Sequence, residues 1–415
     1  MNHLLIKEQE IPIRYKSELV VIGGGPSGVA AAVSASSLGV KTIIVERNGF
    51  LGGQATGGLV IYLPNVKDGK KVLVKGFCKK VINDLEKLES CYYTGNNIVF
   101  DPESMKWLFD KYINKQNIKP LYHSIVVDAV KEDNKISHII VESKSGRFAI
   151  DGKFFIDASG DADIAGWLNL PFELLNKNKL LPVTLSFRMG NVDVDKAKSY
   201  IDNNNYKVNQ MFNTIEEVDI LPQGFIKTMN ESEAWFDVLY IKNVDSTEVE
   251  DLTYAEIKGR DVVRNIFKIF QNIPGFENSY LIDTASQLGI RESRRITGEY
   301  YLEKKDEDIV FPDEIFKVPN GYSVSKKLCS IPYRCLIPKN VDNLLMAGRC
   351  ISVSHEMLDL IREIPWCFSS GAAAGVASYL AISNNKKARN IDTAKLQEYL
   401  KNKRGLKDNE TELKI

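Results

Sequence analysis

"ELVVIGGGPSGVAAAVSASSLGVKTIIVERNGFLGGQATGG", residues 18–58, is an apolar run, a glycine turn, a small-residue run, a second apolar run and an acid, in that order. Leu19 to Ile22 predicts a buried parallel strand. Gly23, Gly25 and Gly28 then spell G-x-G-x-x-G. The first glycine permits a sharp turn, the second lets the backbone approach a pyrophosphate, and the third lets the next helix pack on the strand. That helix is predicted over 29–38, opened by Pro26 and Ser27, with its free N–H groups and positive dipole end turned to phosphates. Gly39 is its stop signal. Thr42 to Val45 predicts the second strand, and Glu46 ends it with a carboxylate suited to the two hydroxyls of an adenosine ribose. A lone glycine triplet is weak, but strand, turn, helix and acid in this order predict a dinucleotide site.

The residues after Glu46 separate the candidate dinucleotides. Arg47 leads into "NGFLGGQATGG", whose second glycine pair, Gly52 and Gly53, resembles FAD proteins of the glutathione-reductase-like superfamily. The resemblance implies that this cluster lies against FAD, with Arg47, Gly53 and Gln54 at the cofactor or its substrate side. A glycine loop without ligand contacts is the other reading.

Three further segments extend the likeness. Residues 124–130, 136–142 and 147–150 alternate like strands joined by polar turns. They resemble the β-meander of FAD-binding domains, which implies that Val126 lies beside the adenine. Residues 153–156 predict another strand, ending in "DASGDADIA", where Ser159 and Gly160 resemble a cofactor contact. Asp161 and Asp163 read either as helix caps or as chemistry. "GIRESRRITGEYYL", residues 289–302, is read as helical, with Arg291 and Arg295 on one face and Glu292 within reach of Arg295. It is either an internal ion-pair cluster or an anion site. Residues 341–347 predict a last strand ending at Gly348 and Arg349. Relatives carry glycine–aspartate there, with the aspartate on the ribityl chain, so Arg349 departs from the pattern. Residues 365–380 predict a closing small-residue helix whose N-terminus faces the flavin pyrimidine; Ile361, just before it, joins the cofactor set.

With "VIGGGPSGVAAA", "ERNGFLGGQATGG", "FIDASGDADIA", "LGIRESRRITGEY" and "IPYRCLIPKNVDNLLMAGRCISVSHE", residues 17 to about 400 resemble the bacterial FAD-dependent oxidoreductase family. The resemblance implies an α/β fold: a glutathione-reductase-like, Rossmann-type FAD-binding domain with a β-meander, plus an inserted α+β substrate domain. The expected division is 1–170 with 331–385 for FAD, 171–330 for substrate, and 386–415 as a charged helix and tail.

Composition sets the remaining bounds. The 415 residues are 44% hydrophobic and 26% charged, with Lys+Arg and Asp+Glu balanced at 54 each, so no nucleic-acid or acidic-membrane partner is indicated. No secretory signal or membrane span is read, and six scattered cysteines without CxxC suggest reduced thiols in the cytoplasm and no metal. The expected chemistry is hydride transfer between a small-molecule substrate and flavin N5, with oxygen or a redox partner protein as possible electron partners. The alternatives are a flavin monooxygenase and a non-catalytic electron-relay subunit. No second nucleotide fold for NAD(P)H is visible. Among four histidines, His355 falls between the last strand and the closing helix, near the flavin. It reads either as the proton carrier or as a helix-start residue bonded to backbone. Arg362 and Arg291 complete the catalytic candidates.

Overall fold

The computed structural model describes residues 10–216, 218–319 and 328–401. His3 and the tail from 402 lie outside the described residues. The first apolar run is longer than its core: the strand is Ile13–Ile22, and its last four residues are fully or nearly buried. Thr42–Val45 and Lys119–Leu121 add parallel strands on one side, and Gly146–Asp157 adds one on the other. Parallel strands covered on both faces read as continuous apolar runs, which is why these segments lack alternation.

Gly146–Asp157 joins two segments that the sequence suggests as separate strands, 147–150 and 153–156. A single 12-residue strand serves two partners along one edge. Its first half pairs antiparallel with Lys135–Ser143, which pairs with Ser124–Glu132, the meander. Its last three residues pair parallel with the short final strand, Leu344–Met346. The seven strands form one mixed sheet.

Two helices of small residues lie together on this sheet. Pro26–Ser36 follows the glycine turn, and Ile364–Ser383 closes the described fold before the short C-terminal helix Thr393–Lys401. A Cβ on Gly371 would stand 2.1 Å from the Ser27 carbonyl oxygen, and one on Gly375 2.3 Å from that of Ala31. Only glycine permits backbones this close.

Residues 183–288, with Leu59, build a second hydrophobic cluster. A four-stranded antiparallel sheet, ordered Phe225–Lys227, Glu233–Phe236, Phe187–Gly190, Tyr280–Thr284, packs there with helix Val249–Phe270. Val262, Ile266 and Phe270 are buried at helical spacing, and Ile269 is half-buried. Phe187 and Phe236 stack at 4.5 Å between centroids. The segment around Arg291 is not the helix its spacing suggests. Arg295–Ile296 pairs as strand with Phe172–Glu173, and residues 291–294 before it carry no regular secondary structure. Glu292 and Arg295 do pair as expected, but without a helix: Arg295 also reaches Glu173 and Glu292 reaches His355, both distant in sequence. Among the described residues no helix is long and apolar enough to cross a membrane. All six cysteines are unpaired.

Candidate functional site

The glycine turn is built by main-chain contacts. Gly23 has φ +92°, and a Cβ there would lie 2.6 Å from the Ala158 carbonyl oxygen. A Cβ on Gly28 would reach within 1.9 Å of the Gly23 carbonyl oxygen. Gly25 differs: its Cβ would meet nothing closer than the Gly53 Cα at 4.0 Å. Its backbone therefore borders open space, at the start of a helix with Pro26 in the first turn and no side-chain cap. The first N–H groups of that helix are free for an anion.

Glu46, nearly buried, accepts hydrogen bonds from the Gly24 and Asn48 amides, each at 2.7 Å. It thereby ties the turn to the end of the second strand. The second glycine pair closes over the first: the Gly52 amide donates to the Gly24 carbonyl at 2.8 Å, and a Cβ on Gly53 would come within 2.9 Å of the Gly25 Cα. Gln54 donates to the Leu288 carbonyl at 2.9 Å, while its buried Oε1 has no protein partner. A buried acceptor is seldom left bare, so this atom asks for a donor.

These residues line a cavity of about 380 Å³. It is lined by Gly23, Gly25, Pro26, Ser27, Glu46, Arg47, Gly53, Gln54, Val126, Ser159, Gly160, Arg291, Arg349 and Arg362, so fourteen of the residues singled out from sequence converge on one space. Gly28, Gly348, Ile361 and His355 do not line it. Gly28 and Gly348 act as spacers; at Gly348, with φ +87°, a Cβ would stand 2.6 Å from Ser27 Oγ. Ile361 is buried beneath the wall.

His355 opens the short helix His355–Ile361, but its ring turns away from the cavity. Its Nδ1 lies 2.9 and 3.0 Å from the two carboxylate oxygens of fully buried Glu292. Glu292 also pairs with fully buried Arg295 and accepts from the Leu181 amide at 2.9 Å. Arg295 continues to Glu173 at 2.6 Å, which Tyr301 also reaches at 2.6 Å. The histidine expected beside the flavin is thus one end of an ion network behind the wall.

In the acidic segment after Asp157, neither Asp161 nor Asp163, read as helix caps or as chemistry, caps the helix that follows. Fully buried Asp157 accepts from the Ser159 hydroxyl at 2.6 Å and from the Ile164 amide at 3.0 Å, holding the turn and the helix start. Burial pushes its carboxyl above the ordinary range. Asp161 pairs with Arg349 at 2.5 Å, and Arg349 Nε donates to the Gly160 carbonyl at 2.8 Å. Arg349 thus stands against a carboxylate from another strand end. Asp163 lines the cavity; burial and the charges of Asp161 and Asp157 push its carboxyl up to about 7.

The opposing wall draws on the second cluster. Arg291 bonds Asp237 at 2.9 Å and the Pro182 carbonyl at 2.9 Å, and sits 4.6 Å from the Tyr240 ring centroid. Thr184 donates to the same Asp237 at 2.8 Å. Arg362 is tied to Asp359 at 2.8 Å. Next to it Glu363, Ile364 and Cys367 reach the cavity from the start of the closing helix, with Tyr62 and Pro64 nearby. Burial pushes the Glu363 carboxyl up to about 6 and the Cys367 thiol up to about 12. Asp237 and Tyr62 were not singled out from sequence; no motif marks them. Among the described residues no group of three or more His, Cys, Asp or Glu could hold a metal ion.

Residues 18–400 match the family model described as FAD dependent oxidoreductase. Digeranylgeranylglycerophospholipid reductase of Thermoplasma volcanium is 26% identical over 194 residues, covering 43% of this chain and 48% of that protein. Thiamine thiazole synthase of Methanococcus vannielii is 28% identical over 164 residues, 36% of this chain and 59% of that one. The matched stretch spans about half the length of these curated relatives. Among solved structures, a geranylgeranyl bacteriochlorophyll reductase-like protein of Thermoplasma acidophilum aligns at TM-score 0.52 and 14% identity, over 93% of this chain and 91% of its own. A myxobacterial chondrochloren halogenase, an FAD-dependent enzyme, aligns at TM-score 0.51 and 11% identity, over 94% and 79%. Both likenesses concern the fold alone. The chain belongs to the FAD dependent oxidoreductase family, with FAD as its cofactor.

Proposed function

We propose that this member of the FAD dependent oxidoreductase family exchanges a hydride between a small-molecule substrate and its flavin. When bound, FAD supplies the hydride-accepting and hydride-donating chemistry of its isoalloxazine. The observation that carries the reading is the continuity of the cavity. It joins the open position at Gly25 to the charged wall of Asp237, Arg291, Arg362 and Glu363. Cofactor and substrate would thus share one continuous space, as hydride transfer requires.

The residues fit the cofactor. Gly25 leaves room where a Cβ would enter, the helix from Pro26 offers uncapped amides to a diphosphate, and Glu46 retains lone pairs for ribose hydroxyls. Val126 and Arg47 would flank the adenosine, and Gln54 Oε1 would accept from the bound group. Ser159, Gly160 and Arg349 would border the diphosphate. We assign substrate recognition to residues 171–330, whose Thr184, Asp237 and Arg291 reach the cavity. Because Asp237 and Asp359 already neutralise Arg291 and Arg362, their surroundings favour a neutral polar substrate over a free anion.

Anaerobic bleaching of the purified yellow protein across a panel of alcohols, amines and alkenes tests this. Bleaching by one compound class, with the oxidised compound recovered, is the expected result. Rapid bleaching by NADPH, followed by an oxygenated product in air, would replace the reading with a monooxygenase.

A further inference from the structure

We propose that Glu363 is the proton-holding group of this redox site, its carboxylate taking up one proton when the bound flavin gains two electrons. The inference rests on the FAD reading above. Glu363 lines the cavity and immediately precedes the closing helix, Ile364–Ser383. Although it occupies the N-cap position, its side chain caps no backbone amide; the carboxylate accepts instead from the Trp366 and Asn65 side chains at the cavity wall. The closing helix meets the glycine turn at Gly371, against the Ser27 carbonyl. Glu363 lies eight residues earlier, ~12 Å along the helix at 1.5 Å per residue. It therefore stands beyond the phosphate cradle, on the stretch of cavity shared with the arginine wall.

The surroundings suit a group that changes protonation. Arg362 and the Trp366 and Asn65 side chains favour the carboxylate, while burial and the Asp359 charge favour the acid, and burial wins. Tyr62 and Cys367 are the other titratable groups close by; burial is the main reason both stay protonated, and the Glu363 charge adds to it. With its carboxyl at about 6, Glu363 is ionised in the oxidised protein at pH 7–8. Negative charge arriving beside a carboxylate raises its affinity for a proton. The balance is simple: two electrons come from the reductant and two protons from solvent, one forming the N–H bond that reduction of the flavin requires and the other an O–H bond on Glu363. No bond to protein breaks. His355, held by Glu292 behind the wall, is not placed for this role.

The test is a potentiometric titration of the purified holoprotein with mediator dyes, from pH 5 to pH 8.5. The slope of midpoint potential against pH counts protons taken up per electron pair. FAD content, measured first, separately tests the reading on which the inference rests. The wild type is expected to take up one more proton above about pH 6 than below it. Glu363→Gln is expected to keep FAD, to lose that extra proton, and to show a higher potential at pH 8. The same rise near pH 6 in Glu363→Gln would overturn the proposal, as would a wild-type slope that does not change there. If the glutamine variant fails to hold FAD, Glu363→Asp decides. A displaced break supports the assignment, and an unmoved one overturns it.

Discussion

Around Gly23, Gly25 and Gly53 the cavity wall is main chain; around Asp237, Arg291 and Arg362 it is paired charge. The first wall draws on residues within one stretch of about thirty, held by backbone contacts that a Cβ would forbid. The second draws on distant parts of the chain: Arg291 finds its carboxylate 54 positions away, while Arg362 pairs with Asp359 only three residues before it. A backbone cradle fits any ligand that carries the same diphosphate, so it suits a shared cofactor. A wall of neutralised pairs is specific to this chain's own cavity, and it suits a substrate.

The largest expected effect lies behind the charged wall. Arg295→Met should cost about 3–5 kcal/mol, because Glu292 and Glu173 lose the cation between them. Chemical denaturation measures it, and a loss under 1 kcal/mol would show that the network is held by other contacts. On the backbone side, Gly28→Val should destabilise by about 3 kcal/mol, since its Cβ collides with the Gly23 carbonyl rather than with a movable side chain. Gly25→Ala sharpens the contrast within the same turn. The FAD-free protein should melt within a degree or two of wild type, because no atom is near. FAD affinity should fall at least tenfold, or ~1.4 kcal/mol. An alanine variant with full affinity would place the diphosphate elsewhere.

The smallest effect is one of pH. Asp163 keeps its proton up to about pH 7 in the folded chain, while an unfolded aspartate releases it near pH ~4. The folded state then holds the extra proton between those values, so stability falls as pH rises from about 4 to about 7. Asp163→Asn should flatten that part of the FAD-free stability curve. Its side chain is one-third exposed, which keeps the change small. An unaltered slope would mean that Asp157, whose carboxyl burial also raises, sets it.

Legibility followed the same divide. The glycine turn, Glu46 and the small-residue closing helix were readable because each obeys a local spacing rule. The helix assigned to Arg291–Arg295 was not, because i,i+4 charge spacing is also satisfied by side chains that turn to partners on other strands. His355 was placed by its position in the chain, and proximity in sequence says nothing of which way a ring turns. Glu363 was marked only by its place beside Arg362, on the approach to the flavin; its raised carboxyl comes from burial, which the sequence does not show.

By itself the sequence determined that this chain folds a strand, a glycine turn and a helix around a dinucleotide. Backbone geometry there depends only on where glycine replaces a side chain. Only the tertiary structure decided which carboxylate meets which arginine, and hence that Asp157 holds the turn, that Glu292 takes His355 out of the cavity, and that Glu363 remains in it. Long charged side chains reach several neighbours with equal ease, and burial, which exists only once the chain has closed on itself, selects among them.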